Sequence, residues 1–376
     1  MKVFCLGGAG KICREAILDL VQFSSFETIT VADFNEEEGL KIVEWLNDPR
    51  VNFVKVDVTN HEDTVAKMKG YDIVMDGTTI KLNGFGEEND SHSIFVQNGK
   101  TCLPGFGMTP GVTQMMAMHA ANQLHTVESV RVSHGSYRPI AFSASITETT
   151  TYEYDPHLAS RTVYENGEFK QVPPFARPRE IELPAPYGKA TQYIIPHSET
   201  ITLAKALENK GVKLIETRGT WPKQNMQLVR ALYDYGILRN DQVEINGEAI
   251  GIMDCVSKYL LQSKEGQETE VYGYALHVEV IGMKNNEKQR HVLYHTHPLS
   301  DGSVEGWEKL RAYTRNVGIP FGIATELIAK GDVNKVGVVT PEEAFVNPQV
   351  IFDELKKRGI HIHEEISTYK ESYNFV

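Results

Sequence analysis

The chain has 376 residues, 41% of them hydrophobic, and a formal charge of −12, so it is too apolar for disorder and long enough for two cores. The acidic balance argues against nucleic acid, which usually meets a basic face, and no stretch approaches the roughly 20 apolar residues of a membrane span. A cytoplasmic location and small-molecule partners are expected, with no leader ahead of the first strand; Cys5, Cys13, Cys102 and Cys255 lack metal-type spacing and read as reduced.

The first 35 residues, MKVFCLGGAGKICREAILDLVQFSSFETITVADFN, predict a strand over Lys2 to Leu6, a glycine turn, an amphipathic helix and a second strand over Ile29 to Ala32. Gly8 and Gly10 let the backbone turn tightly and approach a diphosphate. The helix starts near Lys11 and Ile12, with Ile12, Ala16 and Leu20 at helical spacing; its amide groups and dipole would face the phosphates. Asp33 ends the second strand, twenty positions after Cys13, where a carboxylate accepts both hydroxyls of an adenine ribose. A 2'-phosphate there would be repelled, and Phe34, Asn35 and Glu36 offer no cation, so NAD is expected over NADP. Cys13 stands where the third glycine of such motifs usually falls.

Further along, Glu36 to Asn47 predicts a helix and Phe53 to Val56 a strand followed by Asp57, which either approaches the adenine edge or caps its own turn. Thr64 to Lys69 reads as a helix and Tyr71 to Met75 as a fourth strand before Asp76. The alternation is that of a Rossmann-type, doubly wound parallel sheet in an α/β chain. Beyond it a polar loop with Thr78, Thr79, Lys81 and Asn83 lies where ligands of such sheets bind. Ser91 to Gln97 looks helical and Thr101 to Leu103 extended. A Pro- and Gly-rich run then places a boundary near Thr109, before a helix with Met115, Met116, His119 and Leu124.

The pattern now changes to hairpins. Asn166-Gly167 and Asn246-Gly247 are turn signals, and Val271 to Ile281 pairs with Arg290 to Tyr294 across Lys284 to Lys288. An α+β substrate domain over residues 110–305 is expected, its open sheet face suited to pairing in a homodimer. Helical patterns return at Trp307 to Asn316 and Gly322 to Ala329, and Val350 to Ile360 predicts a last helix and strand.

Four stretches resemble the saccharopine dehydrogenase superfamily, most closely its lysine 6-dehydrogenase-like branch: LGGAGKICREAILDL with VAD; GFGMTPGVTQMM; NGEFKQVPPF with PHSETITL; and GIPFGIATELIAKGDVNKVGVVTPEEAF with FDELKKRGIHI. The resemblance implies a Rossmann domain over 1–109, an inserted catalytic and dimerisation domain, and a segment over 306–376 packing back on the first. It also implies NAD-dependent oxidoreduction at a carbon–nitrogen bond through an imine, on a lysine-like amino acid. The alternatives are a carboxynorspermidine-, saccharopine- or opine-type reductase that joins an amine and a carbonyl compound, and a non-catalytic NAD-binding protein. Between Asp76 and Pro104 there is room for one helix where relatives carry two and an extra strand, a shortfall of about 30 residues.

The same resemblance puts His197 and Glu199 of PHSETITL in the pocket-lining stretch. His197 is expected as the base, since imidazole exchanges a proton near neutral pH. Glu199 would hold a substrate ammonium or orient His197; each also reads as an ordinary structural residue. Arg218 corresponds to an arginine in the family's matching strand and suits a substrate carboxylate, or else pairs with Glu216. Glu153 matches a recurrent acid and would cap the amine. Lys81, near the expected nicotinamide, is an acid–base candidate or an exposed lysine. His295-Thr296-His297 and His361 with His363 lack a third ligand, so no metal is expected.

Overall fold

The computed structural model describes residues 1–78, 91–141, 143–157, 161–239, 241–263, 268–269 and 271–369. Strands Val51–Lys55, Thr28–Asp33, Lys2–Leu6 and Ile73–Asp76 lie side by side in that order, all parallel. Val3, Cys5, Ile29 and Val31 bury one face against Ala16, Ile17 and Leu20 of helix Cys13–Phe23, while Phe4, Leu6, Ala32 and Val56 fill the other. Burial on both faces is why the central strand Lys2–Leu6 reads as an apolar run after its first residue. Between Asp76 and Pro104 the described residues hold one helix, His92–Gln97, and the short strand Thr101–Cys102.

A nine-stranded sheet forms the larger half. Its main path runs His361–Tyr369, Glu287–Thr296, Gly273–Lys284, Thr126–Tyr137, Leu214–Thr220, Gly188–Ile194 and Arg179–Leu183; hairpin Thr162–Glu165/Glu168–Gln171 joins it at Leu214–Thr220. Thr126–Tyr137 and Leu214–Thr220 pair in parallel and the other neighbours antiparallel. Alternation splits the sheet into two unlike faces. Val130, Val132, Ile215, Leu276, Val278 and Leu293 pack beneath helices Val112–Gln123 and Lys309–Lys330. Glu216, Arg131 and Glu279 lie in one register on the opposite face, with Arg218 two residues beyond Glu216.

The hairpin turns match their residues. Asn166-Gly167, Asn246-Gly247 and Asn285-Asn286 all have positive φ at both central positions, the left-handed geometry that tight hairpins require.

Two predicted elements differ from the outcome. Lys309–Lys330 is one helix that runs through Pro320 instead of two. A proline inside a helix loses one hydrogen bond, but this stretch is clamped by its neighbours: a Cβ on Gly318 would stand 2.7 Å from Ile12 O and one on Gly322 2.8 Å from Asp19 Oδ2. Those glycines let the first helix lie directly against the last long one. The chain end also divides. Arg358 reaches the first helix, with Nε 2.7 Å from Asp19 and Nη2 3.0 Å from Glu326, and Gly337–Val338 pairs with Thr101–Cys102. The final strand, His361–Tyr369, instead edges the large sheet.

Candidate active site

At the nucleotide end, Gly7 takes φ +68°, and a Cβ on Gly8 would meet Cys5 O and Val31 Cγ1 at 2.9 Å. Gly10 is exposed, and a Cβ there would meet only Gly7 O, at 3.1 Å. The backbone of this turn is therefore open toward the start of the first helix, at Ile12 and Cys13, as a diphosphate needs. Asp33 Oδ2 accepts a hydrogen bond from Ala9 N at 3.0 Å, and Oδ1 accepts from Asn35 N at 2.9 Å. The acid that ends the second strand is thereby tied to the glycine turn. Cys13 fits the third-glycine position: its Sγ lies 3.6 Å from Leu6 O, and burial, with Asp76 and Asp33 nearby, pushes its thiol up to about 12. Lys11 is exposed, and Thr78 binds Asp76 Oδ1 through both its amide and hydroxyl. Asp57 Oδ1 accepts from the amide and hydroxyl of Thr59, which matches the turn-capping alternative.

The large sheet builds a second, deeper cluster on its covered face. Helix Glu199–Ala206 begins directly after His197 and Ser198, and helix Ala144–Tyr154 brings Glu153 from another side. His197 Nδ1 stands 3.4 Å from Glu199 Oε2 and His197 Nε2 3.9 Å from Glu153 Oε1, all three residues buried. Neither approach has hydrogen-bond geometry; the attraction is mainly Coulombic. Burial alone would discharge this imidazole, but the charges of Glu199 and Glu153 overcome it and raise His197 to about 10. Glu199 is itself fixed through Oε1, which accepts from Thr113 Oγ1 at 3.1 Å.

The sequence reading did not single out His134 or Arg138. The His134 ring lies 5.5 Å from that of His197 and stacks on Tyr274 at 5.4 Å. Burial, with the charges of His197 and Arg138, holds His134 well below the ordinary imidazole value. Two adjacent histidines are thus driven to opposite protonation states. Gly219 makes the space: a Cβ there would stand 3.0 Å from the His134 ring. Arg138 is buried, its guanidinium 5.4 Å from the Tyr313 ring centroid, with Nη1 donating to Pro139 O at 3.0 Å. Tyr313 belongs to helix Lys309–Lys330, so the element that packs on the nucleotide domain also lines this cluster. The missed signal was period two, since His134, Ser136 and Arg138 alternate along one strand into its exit.

Arg218 is not brought to this cluster. It lies on the opposite face, where Nε and Nη2 bind Glu216 at 2.9 and 3.0 Å and Nη1 donates to Arg177 O. The geometry is that of the internal ion pair, because Thr217 and Gly219 are the residues of this strand that turn toward Thr200 and His134. Thr79, Lys81 and Asn83 lie outside the described residues. His295 Nδ1 is 3.2 Å from His361 O and His297 Nε2 3.3 Å from Ala312 O; burial lowers both, to about 4 and about 3.

Residues 3–84 match the family model described as the saccharopine dehydrogenase NADP binding domain, and residues 107–360 that of the saccharopine dehydrogenase C-terminal domain. The chain belongs to the saccharopine dehydrogenase family. A curated relative, carboxynorspermidine synthase of Vibrio alginolyticus, is 22% identical over 72% of this chain; the match spans 64% of the relative. Among solved structures, apo saccharopine dehydrogenase (L-Glu forming) from Saccharomyces cerevisiae superposes with a TM-score of 0.66 at 16% identity, covering 97% of this chain and 99% of that one. That likeness establishes a shared fold. The match to the nucleotide-binding domain thus precedes the match to the C-terminal domain, which spans His197.

Proposed function

We propose that this chain is an NAD-dependent oxidoreductase acting on the carbon–nitrogen bond of an amine or amino acid that also bears a carboxylate, through an imine. One observation carries the reading. Both nitrogens of His197, Glu153 Oε2, Glu199 Oε2 and His134 Nδ1 are buried without a hydrogen-bond partner among the described residues. Each such atom costs about 1–3 kcal/mol, so their concentration marks where a polar ligand would complete the bonding. Membership of the saccharopine dehydrogenase family supports the reaction class.

The residues have complementary tasks. Asp33 would accept the ribose hydroxyls and the Gly8–Gly10 turn would admit the diphosphate, with no cation in Phe34 to Glu36 to favour NADP. When bound, the nicotinamide supplies or takes the hydride. Glu153 and Glu199 attract the amine and keep His197 charged. Reduction of an imine adds hydride at carbon and a proton at nitrogen; His197 would give that proton from Nε2, the nitrogen farther from its carboxylate neighbour. Arg138, in place of Arg218, would receive the substrate carboxylate. His197, expected as the base, thus takes the acid's part in the reductive direction.

A second reading keeps the lysine-like substrate: two acids around one imidazole also suit a distal ammonium, oxidised at its carbon before water releases ammonia. That direction needs neutral His197 and is favoured at alkaline pH. Assaying NADH oxidation with amine and carbonyl pairs against NAD reduction with lysine and diamines separates the two. Turnover by lysine alone would overturn the reductive assignment; failure of every pair, with function intact after joint replacement of His197, Glu199 and Arg138, would leave a non-catalytic NAD-binding protein. We further propose a homodimer, tested by light scattering.

A further inference from the structure

Behind the His197 cluster, across the sheet, lies a cavity of about 610 Å³ walled by Arg131, Arg179, Arg218, Arg290, Glu216 and Glu279. The sheet curls to make it: Arg179, on the strand at one end of the main path, reaches Glu279 near the middle at 3.2 Å. Glu279 also accepts from Arg131 Nη1 at 3.0 Å and Arg290 Nε at 2.5 Å. Glu216 takes both Arg218 bonds and has Arg131 Nε at 3.3 Å. Two carboxylates therefore face five guanidinium groups, and with Arg177 paired outward to Glu165 a surplus of two positive charges remains in a chain whose net charge is −12.

The carboxylates are saturated and the guanidinium groups are not. A guanidinium has five donor hydrogens; Arg290 directs only Nε at Glu279, and Arg179 directs Nη2 at Glu279 with its Nη1 3.9 Å from Glu216. Arg218, Glu216 and Glu279 form a buried floor, with Arg290, Arg179 and Arg131 partly exposed above it. The volume lies in the range of small-ligand sites. We propose that this cavity is a second binding site, distinct from the His197 cluster, for a small multivalent oxyanion carrying two or more acidic groups, of the polyphosphate or polycarboxylate class.

The test is calorimetry and thermal unfolding of the full chain with tripolyphosphate or citrate, NADH present throughout, against sodium chloride at equal ionic strength. One of the two anions should bind saturably and raise the melting temperature, and their ranking identifies the class. Arg290→Gln and Arg131→Gln should each weaken that binding at least about tenfold, roughly the loss of one charge-assisted bond. Unliganded Arg290→Gln should fold normally, since Glu279 keeps Arg131 and Arg179; it carries the test should Arg131→Gln unfold. No binding beyond the chloride control, or equal binding in Arg290→Gln, overturns the proposal. So does a change from dimer to monomer in the variants without any anion dependence, which would give these arginines to a second copy. NADH titration of the same samples reports separately on the nucleotide site.

Discussion

Two groups of charged side chains lie back to back on the large sheet, one on each side of the strand Leu214–Thr220. On one side Glu216 and Glu279 are met by several guanidinium groups each. On the other, Glu153 and Glu199 share a single imidazole and keep one oxygen apiece unbonded. Both groups are largely buried, so burial of charge alone does not identify chemistry. The difference is in which partner is left short: on one side the acids are met and the guanidinium groups keep spare donors, whereas on the other the acids and the imidazole themselves lack hydrogen-bond partners, and each shortfall is tolerated where a ligand supplies what is missing.

The sharpest way to break this contrast is at His197. Replacement by Asn should lower kcat for imine reduction by about 10²- to 10⁴-fold, the usual worth of a proton donor, with NADH affinity unchanged by titration. If catalysis survives, the unsatisfied cluster is structural. The pH profile sharpens the point. The reductive rate should hold until pH approaches about 10 and then fall as His197 loses its proton. Glu199→Gln removes the first of the two raising charges and should shift that fall toward neutrality. Linkage runs with the same sign: His197's pairing stabilises the fold fully below its unfolded value near 6.5 and fades as pH rises toward 10.

Next in size is the exchange of roles between the two arginines. Arg138→Ala should raise KM for a carboxylate-bearing substrate about 10- to 100-fold, the cost of one or two charge-assisted bonds, with Arg138→Lys recovering part of it. Arg218→Ala should instead cost about 3 kcal/mol of stability in urea unfolding, since Glu216 loses its bidentate partner but retains Arg131. Its KM should be unchanged. The opposite pattern would put the substrate on the other face.

These assignments mark how far the sequence could be read. The nucleotide domain was legible because its signals are local: strand, glycine turn, helix and acid follow within 35 residues. His197, Glu199 and Glu153 were reached through the family likeness, and the fold brings them together. Arg218 was grouped with His197, although the fold puts it on the opposite face, because one strand's parity is fixed only once its neighbours are known; Ile215 and Thr217 alternating with Glu216 and Arg218 hinted at it. His134 and Arg138 belong to a strand whose partners, Leu214–Thr220 and Gly273–Lys284, lie far along the chain. The helix through Pro320 was divided because a proline normally ends a helix, and only packing against Ile12 and Asp19 reverses that preference.

A smaller effect separates Asp33 from the two charged groups of the large sheet. Asp33→Asn keeps an acceptor for Ala9 N while removing the negative charge, so NADPH binding should improve about tenfold relative to NADH, roughly the worth of one relieved repulsion. An unchanged preference would mean that this carboxylate serves only the glycine turn.

The smallest expected change is at Asp57, the acid ending the next strand along. Its Oδ1 is occupied by both the amide and the hydroxyl of Thr59, and those bonds, the hydroxyl first, hold its carboxyl below the ordinary value. Asp57→Asn preserves an acceptor for the same turn, so NADH affinity and melting temperature should both stay where they are. A clear loss of affinity alone would return Asp57 to the adenine edge. The satisfied-versus-unsatisfied criterion would then fail in the half of the molecule where it is easiest to apply, because a carboxylate already held by its own turn would be contributing to a ligand site.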